Sequence, residues 1–315
     1  MADAKKILVA GCGAIGSAFA CLLKAAGNDV ALLGRDWHLS AIRSQGLHMD
    51  GLWGNHHAEG FFLVTQTSDL TGFYDLILIC VKAHSTADMV RQVSPFLKPR
   101  GLAISLQNGL GNIETLAATF GPSKSLGASI LVGTIIPEPG RVTVTVQAAP
   151  VVIGPLSLKD SMEQTCDLVG LFLEAEIPCE STDQILGHLW AKVFYNAPLN
   201  PLGALLKVHY GALGEQPELR SLMDHIMDEA FAVAMKQEVA LFWNSADEFR
   251  ALFYSKLLPA TFRHQSSMLQ DLARGRRTEI NALNGQIWKY GESLGIATPF
   301  NEIMTRLIWA REKRP

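Results

Sequence analysis

Residues 6–34 constrain this chain more than any other stretch. KILVA (6–10) is a short apolar run suited to a buried parallel strand, and Gly11-Cys12-Gly13-Ala14-Ile15-Gly16 follows directly. Ser17 to Ala26 then shows helical apolar spacing through Phe19, Leu22 and Leu23. Gly27-Asn28 ends that helix, and DVALLG (29–34) reads as a second strand. Each glycine of the G-x-G-x-x-G frame has a physical task. Gly11 permits a tight turn, Gly13 lets backbone approach a pyrophosphate, and Gly16 lets the helix pack closely on the strand. A phosphate there meets N–H groups at the positive end of a helix dipole. The motif alone is weak, since a glycine-rich turn need bind nothing. The complete strand–motif–helix–strand setting makes Gly11, Cys12, Gly13, Ala14, Ile15 and Gly16 a dinucleotide cradle.

The end of the second strand bears on which dinucleotide. NAD enzymes usually carry an acidic residue there for the ribose 2′-hydroxyl. This chain has Gly34-Arg35-Asp36. The planar, permanently charged Arg35 suits a 2′-phosphate and favours NADP(H), while Asp36 leaves a ribose contact open.

Strand and helix patterns continue to alternate. FFLVT (61–65), DLILICV (75–81), LAISLQ (102–107), GASILVGTI (127–135), RVTVTV (141–146) and PVVIG (150–154) read as strands, with helices over 85–97 and 111–119. Such alternation predicts a parallel sheet covered on both faces. From about Ser181 the apolar spacing becomes three and four, with long helical stretches over 217–240 and 278–294. A helix over 160–175 and a last strand at 176–180 precede that change. The expected architecture is α/β: a Rossmann domain over 1–180 with a parallel sheet, followed by an all-helical domain over 181–315. Lys82 and Gln107-Asn108-Gly109 end strands on the carboxyl edge of the sheet, where ligands of open α/β sheets bind, so both loops should face the nicotinamide.

Other function classes are disfavoured. A net charge of -3 supplies no basic field for nucleic acid. Five widely spaced cysteines without a CxxC pair argue against a disulfide framework or a zinc site and fit a reducing compartment. His56-His57 has no matching ligand cluster and reads as a surface loop, so no metal is expected. No run reaches the roughly 18 apolar residues that span a bilayer. Lys5-Lys6 before an apolar run imitates a secretory signal, but three spaced glycines break the run, and the expected location is cytoplasmic.

The second domain carries one unusual polar stripe. In LWAKVFYNAPLNPLGALL (189–206), Lys192, Asn196 and Asn200 recur every four residues among apolar neighbours, and such groups need partners once buried. Spacing alone allows a solvent-facing stripe equally well. Pro198 and Pro201 remove helical hydrogen bonds there. Further along, Gly275 interrupts SSMLQDLARGRRTEINALNG (266–285), and Thr278 reads as the cap of a helix beginning beside Glu279.

Together these motifs resemble the ketopantoate reductases (2-dehydropantoate 2-reductases) of the 6-phosphogluconate dehydrogenase-like group. The resemblance spans nearly the whole chain and rests on GCGAIG (11–16), VALLGR (30–35), Lys82, QNG (107–109), the K-x-x-x-N-x-x-x-N-P run (192–201), SSMLQD (266–271) and TEI-x-x-x-NG (278–285). It implies a substrate cleft between the domains and NADPH-dependent reduction of a small 2-oxo acid, with a homodimer left open. It further implies Lys192 as general acid and Glu279 as its helping carboxylate. Asn196, Asn200 and Ser267 would hold the substrate, Asn108 and Lys82 would border the nicotinamide, and Arg35 would take the 2′-phosphate. His264, Tyr210 and Pro198 depart from the family pattern. They leave open another branched or aromatic 2-oxo acid as substrate, beside a non-catalytic NADP-sensing protein.

Overall fold

The fold is taken from a computed structural model that describes residues 4–156 and 162–313. The chain divides into two compact units, Met1–Asn108 with Asn112–Ile185, and Gly109–Gly111 with Leu186–Pro315.

In the first unit the elements run β1 (Lys6–Ala10), α1 (Ala14–Ala25), β2 (Asp29–Leu33), α2 (Asp36–Gln45), β3 (Leu47–Gly51), β4 (His56–Ala58), β5 (Phe62–Val64) and β6 (Tyr74–Ile79). They continue as α3 (Thr86–Val93), β7 (Leu97–Ser105), α4 (Asn112–Phe120), β8 (Ser125–Ser129), β9 (Val132–Ile135), β10 (Arg141–Gln147), β11 (Val151–Pro155), α5 (Met162–Glu174) and β12 (Cys179–Ser181). Eight strands form one sheet in the order β12-β11-β8-β7-β6-β1-β2-β5. The six from β8 to β5 pair in parallel. At the far edge β11 runs antiparallel to β8, with β12 parallel to β11.

The apolar run of β1 follows from helices on both faces. Ile7 and Val9 point into a layer with Phe19, Leu22, Leu168 and Phe172 from α1 and α5. Leu8 and Ala10 point into the opposite layer with Val90, Val93 and Leu116 from α3 and α4. All four strand residues are inaccessible to solvent, so no polar alternation survives.

Three expectations are corrected. GASILVGTI is not one strand: it breaks after Ser129 into β8 of the large sheet and β9 of a second, four-stranded sheet ordered β4-β3-β10-β9. His56 and His57 lie in strand β4 rather than a loop, paired with Met49 and His48 of β3. Three polar or small residues carry no period-two signal, so only the pairing makes this a strand. Of the helix expected over 160–175, residues 160 and 161 lie outside the described residues, and the remainder forms α5.

The second unit is helical throughout its described residues: α6 (Ile185–Leu206), α7 (Tyr210–Gly214), α8 (Pro217–Lys236), α9 (Ala246–Leu252), a π turn (Phe253–Leu257), α10 (Leu258–Ala260), α11 (Ser267–Ala273), α12 (Asn284–Leu294) and α13 (Pro299–Glu312). Its core is aromatic. Phe194 of α6 stacks on Phe231 of α8 at 4.9 Å, and Trp190 is fully buried. The third correction falls here. No helix begins at Thr278. That residue sends its N–H and hydroxyl to Glu312 Oε1 at 2.8 and 2.7 Å, a 3-10 turn covers Ile280–Ala282, and α12 starts only at Asn284. Its Oγ1 accepts from the Ile280 N–H at 3.3 Å, so it serves that turn, while its own donors are held by a partner 34 residues away. Among the described residues no helix is long and apolar enough to cross a membrane.

Candidate functional site

The first unit holds the glycine turn at the carboxyl end of β1. Gly11 adopts φ 111°, and a side chain there would lie 2.6 Å from the Val81 backbone nitrogen. A side chain on Gly16 would lie 2.3 Å from the Gly11 carbonyl oxygen. Both positions are closed by backbone, so the turn and the close seating of α1 require glycine. Gly13, the N-cap of α1, differs: a side chain there meets nothing within 4 Å. That open space faces the first turn of a helix whose leading N–H groups have no intrahelical acceptor, with half-buried Ala14 and Ile15 in that turn. The turn therefore fits a pyrophosphate.

A buried relay supports this turn from below. The Gly140 N–H donates to His38 Nδ1 at 3.1 Å, so the His38 proton sits on Nε2 and is donated to Ser17 Oγ at 3.0 Å. Ser17 in turn contacts Cys12 Sγ at 3.3 Å. Burial lowers the His38 pKa and holds the ring neutral. Burial also pushes the Cys12 thiol up to about 11, against a smaller opposing effect of the Ser17 hydrogen bond. Cys12 is thus an uncharged packing residue of the turn.

Arg35 is exposed at the end of β2, where its extended backbone caps α2. Asp36 accepts a hydrogen bond from the Ser40 hydroxyl at 2.9 Å on its own helix. The acidic neighbour is therefore engaged locally, while the guanidinium stands at the strand end.

Lys82 is exposed after β6, and Asn108 is half-buried after β7. A network absent from the sequence reading joins the two loops. Gln107 Nε2 donates to the Val81 carbonyl at 2.7 Å and to Thr86 Oγ1 at 2.8 Å, while its Oε1 accepts from the Ser105 hydroxyl at 3.0 Å. Thr86 Oγ1 lies 2.9 Å from Asn112 Oδ1, and Asn112 Nδ2 donates to the Asn108 carbonyl at 3.0 Å. Buried Gln107, Thr86 and Asn112 thus set the backbone on which Lys82 and Asn108 are mounted. The four-residue spacing from Asn108 to Asn112 is the only sequence signal of this arrangement.

The second unit holds the polar stripe. Lys192 and Asn196 are half-buried on α6, and Asn200 is buried. Desolvation pushes the Lys192 ammonium down to about 8, opposed by the charge of Glu279. Glu279, half-buried just ahead of the 3-10 turn, is therefore brought into electrostatic range of the lysine. The Asn200 Oδ1 accepts from the buried Tyr210 hydroxyl at 2.5 Å, and burial raises the Tyr210 pKa, so the phenol keeps its proton. The exposed His264 packs on Tyr210 with ring centroids 5.1 Å apart. Ser267 is exposed at the start of α11. Its neighbour Ser266 is the buried cap of that helix, accepting from the Leu269 N–H at 3.0 Å and donating to the Asn200 carbonyl at 3.2 Å. A serine directly before a helical pattern is an N-cap signal that would have found it.

The prolines of α6 are accommodated without breaking the helix, which runs 22 residues. Pro201 has no N–H for the Ala197 carbonyl, and Asn284 Nδ2 donates to that oxygen instead, at 3.0 Å.

The chain is similar to known proteins over nearly its whole length. A family model described as Ketopantoate reductase PanE/ApbA matches residues 7–157, and its C-terminal counterpart matches residues 184–312. A 2-dehydropantoate 2-reductase of Aquifex aeolicus is 37% identical over 307 residues, covering 98% of this chain and 97% of that protein. The crystal structure of a PanE/ApbA family ketopantoate reductase from Ralstonia eutropha superposes with TM-score 0.86 at 32% identity, covering 98% of each chain. A D-mandelate dehydrogenase bound to NADH and anilino(oxo)acetate superposes with TM-score 0.85 at 26% identity, again over 98% of each chain.

Proposed function

The chain belongs to the ketopantoate reductase family of oxidoreductases, and on that premise we propose that it reduces 2-dehydropantoate to pantoate with NADPH, a reductive step toward pantothenate. The observation that carries this is Lys192, a half-buried lysine pushed down to about 8 with the Glu279 charge acting on it. A bound dihydronicotinamide supplies hydride to the keto carbon. Lys192 Nζ donates its proton to the keto oxygen, which would otherwise develop as an alkoxide, and its positive charge stabilises that oxygen during transfer. Desolvation makes the ammonium a readier donor than an ordinary lysine, while Glu279 keeps it protonated at neutral pH. Atoms balance: one hydride and one proton convert the ketone to a secondary alcohol.

Gly11, Cys12, Gly13, Ala14, Ile15 and Gly16 would cradle the cofactor's pyrophosphate, and the open space beside Gly13 supports that. Arg35 would bind the 2′-phosphate of NADP, with Asp36 turned to Ser40. Lys82 and Asn108 would border the nicotinamide. Asn196 and Ser267 would hold the substrate's carboxylate and hydroxyl, with Asn200 oriented by Tyr210. The described cysteines are all free thiols, which supports the cytoplasmic location.

The likeness to a D-mandelate dehydrogenase holding an aromatic oxo acid favours one second reading, a different branched or aromatic 2-oxo acid as substrate. Steady-state oxidation of NADPH with a panel of 2-oxo acids separates the two. Ketopantoate with the highest kcat/KM is the expected result; negligible turnover with it and efficient turnover of an aromatic acid would install the alternative. Lys192→Ala should abolish turnover while leaving NADPH affinity within about twofold, and retained activity removes Lys192 as the acid.

A further inference from the structure

We propose that Asn284 is a positioning residue for Lys192, supplying by its side chain the hydrogen bond that Pro201 withholds from the helix carrying the lysine. This rests on the reading of Lys192 as the acid. In a regular helix the carbonyl of residue 197 accepts from the N–H of residue 201. Residue 201 is proline and has no such donor. The vacancy falls between Asn196 and Asn200, in the middle of the polar stripe. A buried carbonyl left there without a donor is costly, and a helix with prolines at 198 and 201 has lost two backbone hydrogen bonds within one turn, those to the carbonyls of residues 194 and 197.

Asn284 is suited to this task. It is completely buried, and Nδ2 donates to the Ala197 carbonyl and to Asn301 Oδ1, both at 3.0 Å. Asn301 is itself fixed, because its Nδ2 donates to the Ile226 carbonyl at 3.2 Å and to Glu229 Oε2 at 2.7 Å. The Glu229 carboxylate also accepts the backbone N–H groups of Phe300 and Asn301 at the start of α13. The proline-weakened segment of α6 is thereby tied through Asn284 to α13 and α8. Asn284 also stands five residues after Glu279, with only the Ile280–Ala282 turn and Leu283 between them. One side chain therefore joins the helix bearing Lys192 to the segment bearing Glu279. Geometry near the acid matters steeply, since a misplacement of about 1 Å can cost a hundredfold in rate.

The experiment compares native protein, N284A, P201A and N284A/P201A for kcat, KM of ketopantoate, KM of NADPH and thermal midpoint, with K192A beside them. Alanine at 201 restores a backbone donor for Ala197, so the Asn284 side chain becomes dispensable for that bond. N284A should lower kcat about tenfold with KM for NADPH within about twofold, and the same change should cost much less in the P201A background. An equal kcat loss in both backgrounds, or native kcat in N284A, overturns the proposal. Should N284A fail to fold, a folded and active N284A/P201A supports it, and failure of that double variant as well overturns it. The two readings fail separately. A K192A enzyme that still turns over refutes the acid, whereas an inactive K192A with equal Asn284 losses refutes only the positioning.

Discussion

Titration of Lys192 should be visible in the rate. With its ammonium pushed down to about 8, the protonated fraction falls from about nine-tenths at pH 7 to about one-tenth at pH 9, whereas a lysine near 10.5 would stay almost wholly charged. The acid acts only when protonated. Activity should therefore be full below the folded pKa and fall about tenfold per pH unit well above it. The measurement is kcat/KM for ketopantoate at saturating NADPH, followed by loss of NADPH absorbance from pH 6 to 10, because that ratio reports groups of the enzyme before the oxo acid binds. Glu279→Gln removes the interaction that raises the lysine's pKa, so its alkaline limb should move to lower pH. The depression also costs stability. Moving the pKa from 10.5 to about 8 corresponds to at most roughly 3 kcal/mol disfavouring the charged form in the fold. That cost is fully present below pH 8 and fades as pH rises toward 10.5. Lys192→Met, inactive, should therefore melt no lower than the native chain at pH 7. A profile flat through pH 9.5, or a limb unmoved by Glu279→Gln, refutes the assignment of this limb to Lys192.

Three further outcomes follow from the same geometry. Gly13→Ala, placed where a side chain meets nothing, should leave the thermal midpoint unchanged yet weaken NADPH binding about tenfold or more in a fluorescence titration; Gly16→Ala, 2.3 Å from the Gly11 carbonyl, should cost about 1–3 kcal/mol of stability by denaturant melt. Arg35→Ala should raise KM for NADPH about tenfold to a hundredfold, as loss of a charge-assisted pair of roughly 1.5–3 kcal/mol implies, and leave KM for NADH nearly unchanged; equal effects on both would remove the 2′-phosphate contact. Tyr210→Phe strips the donor from buried Asn200 Oδ1 and should destabilise by about 1–3 kcal/mol in thermal melts, while an unchanged midpoint would mean that another donor takes its place.

The sequence by itself determined the features that are local. The strand, glycine turn and helix of residues 6–25 form as the order of residue types requires, because apolar runs, glycine spacing and cap signals act over a few residues. The same holds for α6, whose four-residue spacing puts Lys192, Asn196 and Asn200 in line along one helix. Tertiary structure decided what depends on distant partners. His56 and His57 became a strand only by pairing with β3, and the run from Gly127 to Ile135 was split because its two halves found different sheets. Thr278 accepts the Ile280 N–H as its local pattern suggests, but its own donors go to Glu312 and the helix proper starts only at Asn284. Lys192 acquired its depressed pKa from burial, opposed by the charge of Glu279, 87 residues away, and the Ala197 carbonyl acquired its donor from Asn284 over the same separation. Periodicity shows which face of a helix a residue occupies. Which group meets it there, and so its charge and its chemistry, depends on how the chain returns.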